Sequence, residues 1–208
     1  MTKQIPNLFT LLNLVFGCLA IVSTLQNGIV IQYAADGTQL IDIPEKIWMA
    51  SPFIGLAAAV AFLDGFVARL FKAGSEMGKQ LDSLADVVSF AVAPSLILYQ
   101  VLRMSIAQEE DGLNASIIWL VPAFSLACAG AWRLAKFNID ESQSYGFKGV
   151  PTPAVGLVVA SIPLIYWNNH SQLIVDVLFN KWFLYGIIVL LSWLMVSNLP
   201  IMAMKFKD

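Results

Sequence analysis

The sequence predicts an all-α integral membrane protein: a bundle of six transmembrane helices with both termini in the cytoplasm. Composition is the first observation, because 58% of the 208 residues are hydrophobic and 12% are charged, about half the charged share of an average soluble domain. The mean hydropathy of +0.73 agrees with this. The lengths of the apolar stretches and the uneven distribution of Lys and Arg are the other two observations.

Six apolar stretches are long enough for a helix to cross a hydrocarbon core of about 30 Å. Each must satisfy its own backbone hydrogen bonds in lipid, so each is expected to be helical. No repeat or soluble domain interrupts them, which predicts a single membrane domain over residues 1–208. The stretches are Leu8–Leu25, Ile47–Leu70, Leu81–Met104, Ser116–Phe137, Val150–Trp167 and Trp182–Met202.

Basic residues define the orientation. Nine of the twelve Lys and Arg residues lie at the termini and in the second and fourth loops, and three lie on the other side. The positive-inside rule therefore places the termini and these two loops in the cytoplasm. The nine are Lys3, Arg69, Lys72, Lys79, Arg133, Lys136, Lys148, Lys205 and Lys207.

Charge and cysteine content argue against other classes of protein. The net charge of −2 provides no basic field for nucleic acid. Cys18 and Cys128 both lie within apolar stretches, and two such residues form neither a disulfide framework nor a zinc cluster.

Three acids, Asp64, Asp82 and Asp86, interrupt the apolar sequence. A charge at the centre of a bilayer costs roughly 2.5–3.5 kcal/mol, so each acid requires a partner or a wet cavity. Asp82 and Asp86 are four residues apart and share one helix face. The short connection between the second and third spans is expected to bring Asp64 close to both.

Three explanations for this acidic cluster stay open from spacing alone. The acids could pair with Arg69, Lys72 and Lys79, or one acid could stay protonated because like charges crowd together. A divalent cation is the third, since oxygen ligands with no nearby His or Cys suit Mg²⁺, Mn²⁺ or Ca²⁺.

The sequence around these acids resembles the signature of the CDP-alcohol phosphotransferase family, D-x2-D-G-x2-A-R-x8-G-x3-D-x3-D. Seven of its eight fixed positions match: Asp64, Gly65, Ala68, Arg69, Gly78, Asp82 and Asp86. The resemblance implies a divalent metal held by Asp64, Asp82 and Asp86. Mg²⁺ or Mn²⁺ is the expected ion, and Ca²⁺ could replace it in a crystal. It also implies that Asp86 is the catalytic base and that Gly65, Ala68, Arg69 and Gly78 bind the CDP-lipid.

One position departs from the signature. Ala61 stands where the family has its first aspartate, which leaves three of four metal ligands. The resemblance therefore implies weakened metal binding and low activity, and an inactive homologue that binds CDP-lipid stays an alternative.

Two further segments extend the resemblance. Arg133–Asn138 (RLAKFN) and Phe147–Pro153 (FKGVPTP) are similar to segments of the phosphatidylserine synthase branch, CDP-diacylglycerol–serine O-phosphatidyltransferase. Arginine can bind a carboxylate and asparagine offers a donor and an acceptor, so Arg133 and Asn138 are candidate serine-binding residues. The opening Pro6–Asn13 segment is similar to a family segment that supports nucleotide binding, which makes Asn7 and Thr10 candidate contacts.

The resemblance implies a bacterial inner-membrane enzyme, often dimeric in its family, with the active site facing the cytoplasm. Its substrates would be CDP-diacylglycerol and L-serine, and membrane lipid would surround it. Two rivals stay open: the same chemistry with glycerol 3-phosphate or an inositol phosphate as acceptor, and a membrane carrier, because intramembrane acids often mark ion pathways.

Overall fold

The computed structural model describes residues 5–26, 30–33, 39–42, 47–70, 75–109, 112–139, 147–168 and 171–201. Helices dominate these residues. They are α1 (Ile5–Leu25), α2 (Ala50–Leu70), α3 (Glu76–Val87), a π-helical segment (Val88–Val92), α4 (Ala93–Ala107), α5 (Ser125–Ile139), α6 (Thr152–Asn168), α7 (Gln172–Leu178) and α8 (Lys181–Val196). Short 3-10 turns cover Ile47–Met49, Gly112–Asn114, Ile117–Trp119 and Val121–Phe124.

The prediction of a helical membrane protein is confirmed, but the count of six spans is not. Within the described residues, four helical units are long and apolar enough to cross a membrane: Pro6–Leu25, Ile47–Val67, Glu76–Ala107 and Ile117–Ile139. The pair α7 and α8 makes a fifth if counted as one span, although it is bent by 60°. The remaining apolar helix, α6, has 17 residues and is shorter than these four.

Four of the basic residues used for orientation lie outside the described residues: Lys3, Lys72, Lys205 and Lys207.

Two short strand pairs accompany the helices, which the all-α prediction did not include. β1 (Val30–Tyr33) pairs antiparallel with β2 (Gln39–Asp42) between α1 and α2. β3 (Phe147–Lys148) pairs with β4 (Pro200–Ile201) and joins the start of α6 to the end of α8. Gly149 follows β3 with a φ of 74°, a conformation that favours glycine, and its N–H donates to the carbonyl of Leu199.

The continuous unit of α3, the π-helical segment and α4 lies at the centre of the bundle. Of its apolar stretch, 56% lies buried inside the protein, compared with 28–33% of the apolar stretches of the other three spans. Its 32 residues extend about 48 Å at 1.5 Å per residue, longer than the hydrocarbon core. One end of the unit must therefore reach the interfacial region.

The surrounding helices approach the π-helical segment through glycines. A Cβ atom on Gly130 would lie 2.5 Å from the Cβ of Ala91, and one on Gly17 would lie 2.9 Å from the Cα of Ser89. Small residues allow such close approach between membrane helices, where packing rather than hydrophobicity holds helices together. The glycines are Gly17 of α1, Gly130 of α5 and Gly156 of α6.

Replacing Gly130 with alanine should destabilise the bundle by about 1–3 kcal/mol, because the new methyl group overlaps the rigid Cβ of Ala91. Gly186→Ala in α8 is the matched control, since a Cβ there meets nothing within 4 Å. Thermal unfolding in detergent measures both variants. Equal stabilities of Gly130→Ala and Gly186→Ala would contradict the packing described.

Candidate active site

A cavity of about 240 Å³ opens where α1, α2 and α3 meet. Its lining residues come from three separate parts of the sequence, and most of them were predicted to belong to the site. The predicted residues that line it are Asn7, Thr10, Ala61, Asp64, Gly65, Gly78 and Asp82. The structure therefore brings the candidate nucleotide contacts of α1 together with two of the three acids.

Asp64 is the most buried of the three acids, with 6% of its surface exposed. The hydroxyl of Thr10, itself buried, donates a hydrogen bond to Oδ2 of Asp64. Oδ1 is buried and has no partner within the described residues. A buried acceptor without a donor is costly, so this oxygen is suited to a ligand.

The first turn of α3 forms another wall of the cavity. Ser75 caps the helix, and its Oγ accepts a hydrogen bond of 3.0 Å from the N–H of Gly78. A Cβ on Gly78 would lie 3.1 Å from Oδ1 of Asn7. Glycine at this position therefore leaves room for Asn7, and Lys79 adds a positive charge to the cavity wall.

Asp86 lies one helical turn beyond Asp82 and is not among the residues that line the cavity. Its Oδ1 accepts a hydrogen bond of 3.0 Å from Nδ2 of Asn13 in α1. The charges of Asp82 and Asp64 repel it, and that of Arg133 in α5 attracts it. The acids thus divide into Asp64 and Asp82 at the cavity, and Asp86 between α1 and α5.

Arg133 and Asn138, the candidate serine-binding residues, both contact neighbouring helices. Nη1 of Arg133 donates to Oγ1 of Thr152 at 3.4 Å, and Nδ2 of Asn138 donates to Oγ of Ser83 at 2.8 Å. Two of their atoms, the donor Nε of Arg133 and the acceptor Oδ1 of Asn138, are buried and lack a partner within the described part of the chain. They offer one free donor and one free acceptor.

A polar network fixes the end of α5 against α3. Nζ of Lys79 donates to the backbone carbonyl of Asn138 at 3.1 Å, and Oγ of Ser83 donates to the carbonyl of Lys79 at 3.1 Å. Asn138, Ser83 and Lys79 therefore form a closed set of contacts, which links the wall of the cavity to the end of α5.

The residues present suit a divalent cation through two carboxylates. Among the described residues, no group of three His, Cys, Asp or Glu side chains lies close enough to hold a metal ion. Asp64 and Asp82 nevertheless share the cavity, and Oδ1 of Asp64 has no competing partner there. Mg²⁺ is commonly held by one or two carboxylates together with water and substrate phosphates, so this pair fits the ion. The participation of Asp86 stays a prediction.

Two sequence candidates lie outside what the structure describes. Ala68 and Arg69 belong to the last turns of α2, but their side chains are not described. In contrast, Asn13, Ser83 and Thr152 contact the site residues and were not among the candidates. Lys79 was considered only as an ion-pair partner of the acids, and its Nζ donates to the backbone carbonyl of Asn138. Asn13 had one usable signal, because it lies three residues after Thr10 and therefore on the same helix face.

Comparison with known proteins gives consistent results. Residues 3–197 match the family model described as CDP-alcohol phosphatidyltransferase. The chain is 35% identical over 196 residues to the CDP-diacylglycerol–serine O-phosphatidyltransferase of Helicobacter pylori, covering 93% of this chain and 70% of that one. It is 32% identical over 164 residues to the protein of that name from Bacillus subtilis, covering 79% and 77%. The match to the one from Saccharomyces cerevisiae is 31% over 165 residues, covering 69% and 56%.

The bond between Thr10 and Asp64 should be visible in a double-mutant cycle. Thr10→Val leaves a buried carboxylate without this donor and should cost about 1–3 kcal/mol of stability. Asp64→Asn should change that cost, giving a coupling energy of about 0.5–3 kcal/mol. Ser95→Ala is the control, because the Ser95 hydroxyl bonds the carbonyl of Ala91 in its own helical unit. Additive effects of Thr10→Val and Asp64→Asn would contradict the contact.

Proposed function

Because the chain belongs to the CDP-alcohol phosphatidyltransferase family, we propose that it transfers the phosphatidyl group of CDP-diacylglycerol to L-serine. The products are phosphatidylserine and CMP. The family match confirms the resemblance that the motif around Asp64 indicated. The names of the H. pylori, B. subtilis and S. cerevisiae relatives support serine as the acceptor.

The observation that carries the choice of acceptor is the pair of unpartnered polar atoms on α5. Among the residues that the structure describes, Nε of Arg133 has no acceptor and Oδ1 of Asn138 has no donor. The carboxylate of an amino acid requires a hydrogen-bond donor, and its ammonium group requires an acceptor. Arg133 therefore binds the serine carboxylate, and Asn138 accepts from its ammonium group.

The CDP end of the lipid occupies the cavity between α1, α2 and α3. Asn7, Thr10, Gly65 and Gly78 line this cavity and would contact the nucleotide and diphosphate. Lys79, in the same wall, would offset part of the phosphate charge. Ala68 and Arg69 belong to the same set by resemblance.

Asp64 and Asp82 are the residues that would hold a divalent cation. Mg²⁺ or Mn²⁺, when bound, would offset the charge that develops on the diphosphate. Holding both carboxylates at the cavity is the contribution of the chain itself. Asp64 is kept in place by Thr10, and Asp82 lies on the helix that Ser75 caps.

Asp86 removes the proton of the serine hydroxyl. The serine oxygen then forms a bond to the phosphorus that carries diacylglycerol, the bond from this phosphorus to the bridging oxygen breaks, and CMP leaves with that oxygen. A base must lie within hydrogen-bond reach of the proton it takes. The attraction between Asp86 and Arg133 supports this, since Arg133 would hold the amino acid nearby.

The membrane setting completes the proposal. The protein lies in a bacterial inner membrane, with the cavity facing the cytoplasm as the distribution of basic residues indicates. Acyl chains then remain in lipid while serine and CMP exchange with water. A homodimer is proposed by resemblance to the family.

A second candidate function rests on Ala61, which lines the cavity where the family motif has an aspartate. The chain could bind CDP-lipid without transferring its phosphatidyl group. CMP release from CDP-diacylglycerol with Mg²⁺ or Mn²⁺ separates the candidates. Release that requires serine supports the transferase, release with glycerol 3-phosphate instead indicates another acceptor, and lipid binding without release supports the inactive homologue.

Ala61→Asp should raise the rate of CMP release at least about tenfold, because even an outer partner of a metal site contributes 10–100-fold. Residue 61 shares a helix face with Asp64, so the new carboxylate would face the cavity. Ala61→Asn is the matched control, with the same size and no charge, and should leave the rate low. Equal turnover of all three chains would show that residue 61 has no part in metal binding.

Arg133→Ala should raise the KM for serine about tenfold or more, because a charged hydrogen bond contributes about 1.5–3 kcal/mol, and leave the KM for CDP-diacylglycerol nearly unchanged. Lys136→Ala is the control, since Lys136 is a neighbouring cation of α5 that contacts Asn198 instead. Both variants are measured in the Ala61→Asp chain. Equal effects of the two substitutions on serine would contradict the assignment.

A further inference from the structure

Asn13 makes the hydrogen bond closest to the proposed chemistry. It lies in the middle of α1 and is fully buried. Its Nδ2 donates to Oδ1 of Asp86 at 3.0 Å, and its backbone carbonyl accepts from Oγ of Ser89 at 3.0 Å. One residue of α1 therefore contacts the central helix on both sides of the turn that follows Asp86.

The helix changes form at this point. Residues Val88–Val92 are π-helical and begin two positions after Asp86. Such short π-helical segments are frequent at functional sites. Gly17, one turn after Asn13, lies against Ser89, where a Cβ would be 2.9 Å from the Cα atom. The close contact holds α1 at the distance that the bond from Asn13 to Asp86 requires.

The geometry points to Asn13 as a positioning residue for Asp86. Its amide N–H donates to Oδ1 and so orients the carboxylate. Among the described residues no side chain donates to Oδ2, and we assign Oδ2 as the oxygen that receives the proton of the acceptor hydroxyl. The inference rests on the proposed function, because it assumes that Asp86 is the base. Holding a base in its reactive orientation has large effects, since misplacement by about 1 Å can cost 10²-fold in rate.

A packing role for Asn13 makes a different prediction from a positioning role. Gln100 provides the comparison, because it is a buried amide of α4 whose Nε2 donates to the carbonyl of Thr24 in α1 at 3.2 Å. Both amides join α1 to the central helical unit, but only Asn13 contacts Asp86. Asn13→Leu and Gln100→Met each remove one such bond and keep the size of the side chain.

The first measurement is the infrared absorption of the Asp86 carboxylate in the full-length protein in detergent. The band is identified as the one lost in Asp86→Asn. We expect it to shift in Asn13→Leu and to stay in place in Gln100→Met, because only the first variant removes its donor. A band that does not shift in Asn13→Leu overturns the inference, and this result does not depend on which acceptor the enzyme uses.

The second measurement is CMP release in the Ala61→Asp chain. Asn13→Leu should lower kcat about ten- to hundredfold and leave the KM for serine within about twofold. Gln100→Met should change neither kcat nor KM, while lowering thermal stability through the loss of its own bond to Thr24. A kcat unchanged by Asn13→Leu, or lowered equally by Gln100→Met, overturns the inference. If the Ala61→Asp chain itself shows no serine-dependent release of CMP, the proposed function is refuted. The infrared band then still tests whether Asn13 positions Asp86.

Discussion

Hydrogen bonds from α1 to carboxylates of α2 and α3 are the constraint on which the rest of the structure depends. Thr10 donates to Asp64 of α2, and Asn13, three residues later, donates to Asp86 of α3. An acid at membrane depth without a partner is costly, so these two donors allow α2 and α3 to carry acids against one face of α1. Close contacts at Gly17 and Gly78 bring α1 near the central helical unit, as the bond from Asn13 to Asp86 needs.

The acids lie in two groups. Asp64 and Asp82 line one cavity. Asp86 lies one turn further on and is attracted by the charge of Arg133 in α5. Under the proposed function, the CDP-lipid and serine would be bound by different residues and would meet between Asp82 and Asp86.

The sequence was informative where function depends on local spacing. The spacing predicted that Asp64 and Asp82 lie together, and both line the cavity, whereas Asp86, expected with them, is not among its lining residues. The start of the second span at Ile47 was predicted at the residue where the helical unit begins. The count of six spans is not confirmed, because two of the predicted spans correspond to short helices. The helix α6 has 17 residues, and α8 has 16 residues and is bent by 60° from α7.

The contacts of Asn13, Ser83 and Thr152 were beyond the reach of sequence reasoning for a different reason. Asn13 bonds a residue 73 positions away, and nothing in an apolar stretch indicates which distant helix will face a single amide. The π-helical segment was likewise hidden, because its residues are as apolar as those of α4. Only the structure shows that α1, α5 and α6 all pack against this segment through glycines.

The most direct test of the account is the position of a bound ion. An experimental structure of the Ala61→Asp chain with CDP-diacylglycerol and Mn²⁺, using the anomalous scattering of manganese, would locate it. We expect a peak between the carboxylates of Asp64 and Asp82, with Thr10 and Asn13 still bonded to Asp64 and Asp86. A manganese peak away from these carboxylates, or acids turned away from α1 and from the nucleotide, would contradict the account.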